Sequence, residues 1–190
     1  MYGTVAFALT SEKWVSYGLT VLANRGHGAL KADILAKSLK VTRGSFYWHF
    51  KDVADYHEAV IELWRQRTTE DIITQINSVA DSAMRLPTLF RTALGSNNTG
   101  LEKAIRAWAL SDPNARLAVA EVETIRVRYL EKLLKAANAP TKSISSRAQI
   151  LHWTFVGFSN LYGEAPEEPT AILEELIAFA LSKTDLTQEV

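Results

Sequence analysis

Residues 31–50 of the chain read KADILAKSLKVTRGSFYWHF, and they are the most informative part of the sequence. Its apolar spacing predicts two short helices, over about residues 31–39 and 43–49, with Thr42 as the N-cap of the second. Because only three or four residues separate these helices, they cannot lie antiparallel side by side and must cross steeply. Such a crossing is typical of a helix-turn-helix, whose second helix enters the major groove of DNA. Ala36 is small enough to allow it, above an expected core of Leu35, Leu39, Val41, Phe46 and Phe50.

The outer face of the second helix carries groups that suit contact with DNA. Arg43 could form a bidentate pair with guanine, Ser45 could bond to any base edge, and Gly44 would let the backbone approach closely. Hydroxyl, imidazole and ammonium groups commonly bind phosphates, and this segment offers them in Thr42, Tyr47, His49 and Lys51. The alternative is that residues 47–49 are ordinary packing groups of a small helical domain.

Composition excludes several kinds of site. The 190 residues are 47% hydrophobic and 22% charged, which is typical of a globular protein. Cysteine is absent, so disulfides, thiolate metal sites and cysteine nucleophiles are excluded. The four histidines are scattered, and Ile61 stands where His57-Glu58 would need a second zinc-binding histidine. We therefore expect no metal site and no cofactor.

Charge is distributed unevenly along a chain whose net charge is zero. Residues 1–51 contain seven bases and two acids, a net charge of +5, and residues 52–190 carry the compensating −5. A short basic segment joined to a larger acidic one suggests that the N-terminal part presents a surface to a polyanion.

Helical periodicity continues through the rest of the chain, and no stretch shows sustained strand alternation. We therefore expect an all-α fold of about nine helices, one of them running from near Val53 to about Ala80. No apolar run approaches the roughly 18 residues needed to span a bilayer, and the N-terminus lacks the basic start of a signal peptide. The expectation is a cytoplasmic protein with no membrane partner.

A family resemblance rests on the same residues. The segment VTRGSFYWHFKD (residues 41–52) closely resembles the signature of the TetR family of bacterial transcriptional regulators, and residues 14–41 match the first two helices of that family. The resemblance is strong over about residues 12–65 and only architectural beyond. It implies a helix-turn-helix DNA-binding domain over residues 1–51 and a helical ligand-sensing and dimerisation domain over residues 52–190. Such a protein is a homodimeric repressor of transcription that a small-molecule ligand releases from its operator.

The resemblance also implies roles for individual residues. Base edges would be faced by Arg43, Gly44, Ser45 and Trp48. Phosphates would be faced by Thr42, Tyr47, His49 and Lys51. The DNA backbone beside them would be approached by the start of the preceding helix, at Lys31 and Ala32.

Three positions depart from the family pattern. Lys31 replaces a frequent capping threonine, so a cap is lost and a charge that attracts phosphate is gained. Lys40 stands in the turn where glycine is usual, and in a left-handed conformation it would cost about 1 kcal/mol relative to glycine. Val53 occupies a position where many members have a lysine, and Lys51 could supply the missing phosphate contact.

The last two predicted helices are apolar on nearly all sides, so each must be buried from two directions. We expect one face to pack in its own domain and the other against a second copy, as in a two-fold four-helix bundle. The predicted interface comprises Ile150, Phe155, Phe158, Tyr162, Ile172, Leu173, Leu176 and Ile177. Two recognition helices in such a dimer can reach major grooves about 34–36 Å apart, which predicts a partly palindromic operator. The alternative is a buried hairpin in the core of a monomer.

Large aromatic residues in the C-terminal part could line a cavity for an apolar or aromatic ligand. The candidates are Trp64, Trp108, Tyr129, Trp153 and Phe155, and the alternative for each is ordinary core packing.

Two other functions remain as alternatives at this stage. An all-α enzyme would need a nucleophile with its base, a metal cluster or paired carboxylates, and the sequence offers none of these patterns, so we expect no enzyme. A helix-turn-helix DNA-binding or interaction module without a small-molecule ligand is the second alternative.

Overall fold

The computed structural model describes residues 9–95, 99–161 and 169–183, and this part of the chain contains helices and turns but no strand. The 3₁₀ turns are His27–Ala29 and Thr141–Ser143, and a π-helical turn spans Gln66–Glu70. The α-helices are α1 (Ser11–Arg25), α2 (Ala32–Leu39), α3 (Arg43–His49), α4 (Val53–Arg65), α5 (Asp71–Asn77), α6 (Ser82–Gly95), α7 (Thr99–Ala109), α8 (Pro113–Ala136), α9 (Ile144–Leu161) and α10 (Pro169–Leu181).

Helices α4 and α5 form one continuous rod through the π turn. The backbone stays in the right-handed helical region on both sides of the turn, at Arg65, Gln66, Glu70 and Asp71. The rod begins at Val53 as predicted and ends at Asn77, three residues before the predicted end. Counted with this rod as one helix, the described residues contain nine helices, which confirms the predicted all-α class.

Two hydrophobic clusters share helix α8. The first contains residues of α1–α4, α7 and the N-terminal half of α8, and the second contains residues of α5, α6, α9, α10 and the C-terminal half of α8. Helix α1 packs against both α4 and α7, so the predicted boundary at residue 51 falls inside the first cluster. The division into domains 1–51 and 52–190 stays a prediction.

Helices α1 and α4 approach closely at Gly18. A Cβ atom at this position would lie 2.2 Å from the Tyr56 hydroxyl oxygen and 2.8 Å from Cγ2 of Val60. The same Tyr56 hydroxyl donates a buried hydrogen bond of 2.9 Å to the carbonyl oxygen of Trp14. This contact joins α4 to α1, the first of the three N-terminal helices α1–α3, which we call the head.

The far end of the molecule is held by a buried arginine. Arg147, at the start of α9, donates through Nη1 to the carbonyl oxygens of Ala180 and Ser182, at 2.9 and 2.6 Å. These carbonyls lie at the C-terminus of α10, where a cation is favoured by the helix dipole. Within the described ranges, no helix is both long and apolar enough to cross a membrane.

Candidate nucleic-acid interface

The turn between α2 and α3 has the geometry of a Schellman motif. Lys40 lies in the left-handed region, at φ 56° and ψ 39°. Its N–H donates to the Lys37 carbonyl at 3.2 Å, and the N–H of Val41 donates to the Ala36 carbonyl at 3.0 Å. These bonds stop α2 abruptly and allow α3 to start at Arg43. The left-handed conformation considered for Lys40 in the sequence is therefore present, with the associated strain of about 1 kcal/mol.

Helix α3 buries one side and exposes the other. Phe46 is fully buried and Phe50 nearly so, and Leu35 and Ala36 of α2 are buried with them. The hydroxyl oxygen of Thr42 accepts a hydrogen bond from the N–H of Ser45 at 3.3 Å, as expected of the N-cap. These contacts fix the rotation of α3 about its axis, and so decide which side chains face outward.

The outward face contains the residues predicted to read DNA. Trp48 is 86% exposed and Tyr47 is 42% exposed, so neither is a core residue of the head. Arg43 and Gly44 are also exposed, and Ser45 and His49 are half-buried. The alternative in which residues 47–49 serve as packing groups is therefore excluded for Trp48 by its exposure. A tryptophan left in water at the end of a short helix is available for contact with a partner.

Arg43 is ordered by its neighbour one turn away. Its Nη2 donates to the Tyr47 hydroxyl oxygen at 3.1 Å, and its guanidinium lies over the Tyr47 ring, 5.4 Å from the ring centre. The hydrogen bond to Tyr47 raises the pKa of Arg43, which therefore remains a cation. The side chain is thus held on the exposed surface with its other donors free for a base edge or a phosphate.

The predicted phosphate contacts divide into two groups. The side chains of Lys31, Thr42 and Lys51 are exposed beside α3, where they can meet a DNA backbone. Ala32 is 2% exposed, so its methyl group lies in the core and only its backbone N–H could take part. Val53 packs against the first hydrophobic cluster, so the family lysine at this position has no counterpart here.

A second feature is a cavity beside the π turn, partly open to solvent. It lies among the π turn and helices α5–α9 and has a volume of about 70 Å³, which is room for several waters. Most of its wall is apolar. One end is polar, and this polar end consists of Thr68, Thr69, Glu102, Arg126 and His152.

Buried charges form the polar end. Glu102 is 1% exposed, and its carboxylate accepts from Arg126 Nη2 at 2.7 Å, Arg126 Nη1 at 3.0 Å and Trp64 Nε1 at 3.2 Å. Burial by itself would raise the pKa of Glu102, but the charge and hydrogen bonds of Arg126, with Arg106 and Trp64, hold it below the ordinary value. Glu102 is therefore ionised, and Arg126 is its main counter-ion. Arg106 lies 3.9 Å from the same carboxylate and is itself paired with Glu123, so these four charges balance.

The structure brings only two of the five predicted pocket residues to this cavity, Tyr129 and Phe155. Trp64 is fully buried behind Glu102. Trp108 belongs to the first hydrophobic cluster, where its ring packs against His27, which follows α1, and His57 of α4. Trp153 is 64% exposed, because the α9 face that carries it points away from the cavity. Trp64, Trp108 and Trp153 therefore do not line this cavity.

Sequence reasoning missed the polar residues of the cavity. Glu102 and Arg126 carry no motif, since their partners are remote in sequence. The only sequence signal was that a charged residue occupied a position on the apolar side of α7, between the buried Leu101 and Ile105. Within the residues that the structure describes, no group of three or more potential ligands is placed to hold a metal ion.

Helices α9 and α10 present an exposed apolar face, as the two-sided pattern predicted. The exposed residues are Ile150, Trp153, Ile172 and Phe179. Of the predicted interface residues, Leu173 is 5% exposed in the core of its own chain, and Phe155 lines the cavity, because both lie on the inner side of their helices. Phe158, Leu176 and Ile177 are half-buried, and Tyr162 lies outside the described residues.

Comparison with solved structures finds proteins of the same fold over most of the chain. No protein-family model and no curated protein matches the sequence. A solved structure from Rhodococcus sp., assigned to the TetR family of transcriptional regulators, superimposes with a TM-score of 0.72 at 20% identity, over 90% of this chain and 98% of the other.

Two further structures agree. A bacterial regulatory protein of the TetR family from Rhodococcus RHA1 has a TM-score of 0.66 at 16% identity, over 90% of this chain and 94% of its own. The fatty acid degradation regulator FadR from Bacillus halodurans has a TM-score of 0.66 at 17% identity, over 92% and 99% of the two chains. The chain therefore has the all-helical fold of the TetR-family transcriptional regulators.

Proposed function

We propose that the protein is a regulator of the TetR family, a sequence-specific DNA-binding repressor that acts as a homodimer and is released by a small molecule. The observation that carries the proposal is the exposed face of α3. It combines a tryptophan that is 86% exposed with an ordered arginine, on a helix held by a Schellman turn. Exposed lysines beside α3 supply the positive charge that phosphate binding requires. Such a regulator works in the cytoplasm, on the bacterial chromosome, and performs no catalysis.

Dimerisation is supported by the exposed apolar face of α9 and α10. Trp153 and Ile172 are 64% and 58% exposed, and a monomer would leave both in water. Covering this face with a second copy removes the apolar area from water and creates a two-fold axis. The two α3 helices can then enter successive major grooves of a partly palindromic operator.

Ligand control is supported by the rod of α4 and α5. Near its N-terminal end the rod is bonded to the head, where Tyr56 donates to Trp14. Its π turn forms the cavity wall at Thr68 and Thr69. A ligand in the cavity would contact the same continuous helical rod that packs against the head. A differential affinity of about 1–3 kcal/mol between two positions of the rod changes DNA affinity about 5- to 150-fold.

The test is selection of bound sequences from random DNA, followed by affinity measurements on the selected operator. Arg43→Ala should lose about 1–3 kcal/mol of discrimination at one half-site position. Lys51→Ala should weaken binding to all sequences alike and lower the salt slope by about one. Lys135→Ala removes an exposed charge of α8 and serves as the control. Equal losses for Arg43→Ala on operator and random DNA would remove its role in reading bases.

A further inference from the structure

The cavity has an apolar body and a single polar end. Its apolar wall is formed by Ile72 and Ile73 of α5, Leu89 and Phe90 of α6 and Leu151 of α9. An occupant of this space would therefore gain most of its binding free energy from apolar surface. The hydrogen-bonding groups and charges at the polar end restrict which polar functional group the occupant can carry.

The charges at the polar end already compensate each other. Every nitrogen of the Arg126 guanidinium is engaged, because Nε donates to Thr69, and Nη1 and Nη2 donate to Glu102 and Thr68. A carboxylate ligand would have to take these donors from Glu102 while lying beside its negative charge. A cationic ligand would face the same difficulty with Arg126. Placing a net charge in a buried apolar site is strongly unfavourable.

His152 does not alter this balance. Its side chain is 3% exposed, and its Nε2 forms no hydrogen bond among the described residues. Burial lowers the pKa of His152, and the opposing effect of Glu123 is smaller. The imidazole is therefore neutral at pH 7, and the polar end as a whole adds no charge for a ligand to neutralise.

The hydroxyl group of Thr69 offers the cavity a donor that remains available. The Thr69 side chain lines the cavity and is 2% exposed. Its oxygen accepts from Arg126 Nε at 3.0 Å, and among the described residues its proton has no acceptor. A hydroxyl that accepts from a guanidinium is polarised and becomes a stronger donor. In contrast, the Thr68 hydroxyl already donates to the Trp64 carbonyl at 2.8 Å.

We propose that the cavity binds an uncharged, mainly apolar molecule with one hydrogen-bond acceptor, a carbonyl or hydroxyl oxygen, to which the Thr69 hydroxyl donates. The inference rests on the proposed ligand-controlled function, since it assigns the chemical class of the effector. It excludes free carboxylic acids and amines as effectors, because both are charged at pH 7.

The first experiment compares four probes of one shape by isothermal titration calorimetry on the wild-type protein. The probes are 4-ethylacetophenone, 4-ethylbenzoate, 4-ethylbenzylammonium and the hydrocarbon 1-ethyl-4-isopropenylbenzene. We expect the ketone to bind at least about tenfold more tightly than either ion, because the ions bring an uncompensated charge. It should also bind about fivefold more tightly than the hydrocarbon, through its hydrogen bond. An ion that binds as tightly as the ketone, or a ketone that does not bind up to its solubility limit, overturns the inference.

Two pairs of variants test the named groups. Thr69→Val should reduce the preference for the ketone over the hydrocarbon to less than about twofold, whereas Thr69→Ser, which keeps the hydroxyl, should retain it. Glu102→Gln leaves Arg126 without its counter-ion, so 4-ethylbenzoate should gain at least about tenfold in affinity. Glu62→Gln, at an exposed position of α4, should change neither preference. A ketone preference that survives in Thr69→Val contradicts the role of this hydroxyl.

The two proposals fail separately. Probe binding is measured without DNA, and operator binding is measured without probe. A protein that binds the operator but prefers 4-ethylbenzoate refutes the ligand class and leaves the regulatory function intact. A protein that binds the ketone but retains no duplex DNA at low salt refutes the regulatory function and leaves the ligand site intact.

Discussion

The substitution Gly18→Ala tests the contact that fastens the head to α4. The new Cβ atom would lie 2.2 Å from the Tyr56 hydroxyl oxygen and 2.8 Å from Cγ2 of Val60. Ordinary van der Waals contact begins near 3.4 Å, so the hydroxyl must move by roughly 1 Å. Because its hydrogen bond to the Trp14 carbonyl is 2.9 Å long, a movement of that size breaks it.

The magnitude follows from three contributions to the free energy of unfolding. Overpacking between α1 and α4 costs about 1–3 kcal/mol. A buried carbonyl at Trp14 that loses its donor costs about 1–3 kcal/mol. Alanine is favoured over glycine inside a helix by about 1 kcal/mol, which acts in the opposite direction. We expect Gly18→Ala to lower the free energy of unfolding by about 3 kcal/mol.

The assay is urea denaturation at fixed protein concentration, with Gly44→Ala as the matched control. Gly44 is also helical, but its added Cβ would meet only Thr42 Oγ1, at 3.7 Å, so this variant should be more stable than the wild type by about 0.5–1 kcal/mol. Removing the hydroxyl should relieve Gly18→Ala. The double variant with Tyr56→Phe should therefore be more stable, by about 1 kcal/mol, than the sum of the single effects predicts. Strict additivity, or a Gly18→Ala protein as stable as the wild type, would show that α1 and α4 do not meet tightly at Gly18.

Three further predictions concern the turn, the buried carboxylate and the dimer. Lys40→Gly should raise the free energy of unfolding by about 0.5–1 kcal/mol because φ is 56° at this position, whereas Lys37→Gly within α2 should lower it by about 1 kcal/mol. Urea denaturation measures both changes, and the opposite order of stabilities would contradict the left-handed turn. The pKa of Glu102 is lowered on folding. The ionised carboxylate therefore stabilises the folded state fully at a pH above its ordinary pKa of 4.5, and this contribution is lost as the pH falls below 4.5. The melting temperature of the wild type should fall between pH 6 and pH 3 by more than that of Glu102→Gln. Equal pH dependence in the two proteins would argue against a stabilising charge at Glu102. Trp153→Glu should yield monomers by light scattering, whereas Leu117→Glu, 64% exposed on α8, should not; a Trp153→Glu dimer places the interface elsewhere.

The helix-turn-helix could be predicted from local sequence alone. Its helices, its N-cap at Thr42 and its left-handed turn at Lys40 depend on hydrogen bonds between residues no more than five positions apart. The apolar spacing of residues 31–50 also decided which side of α3 is buried, because Phe46 and Phe50 must face the core. For the same local reason the two apolar sides of α9 could be predicted, with one side inward and the other exposed.

The cavity and its chemistry depend on contacts between remote parts of the chain. Glu102 and Arg126 are 24 positions apart, and Arg126 and Thr69 are 57 apart, so no local pattern brings them together. Which aromatic residue lines the cavity depends on the rotation of each helix about its axis, and this is why Tyr129 and Phe155 face the cavity while Trp108 and Trp153 do not. Local hydrogen bonding sets where a helix begins and ends. The packing of remote helices against one another sets which of its side chains meet, and the ligand site is made by that packing.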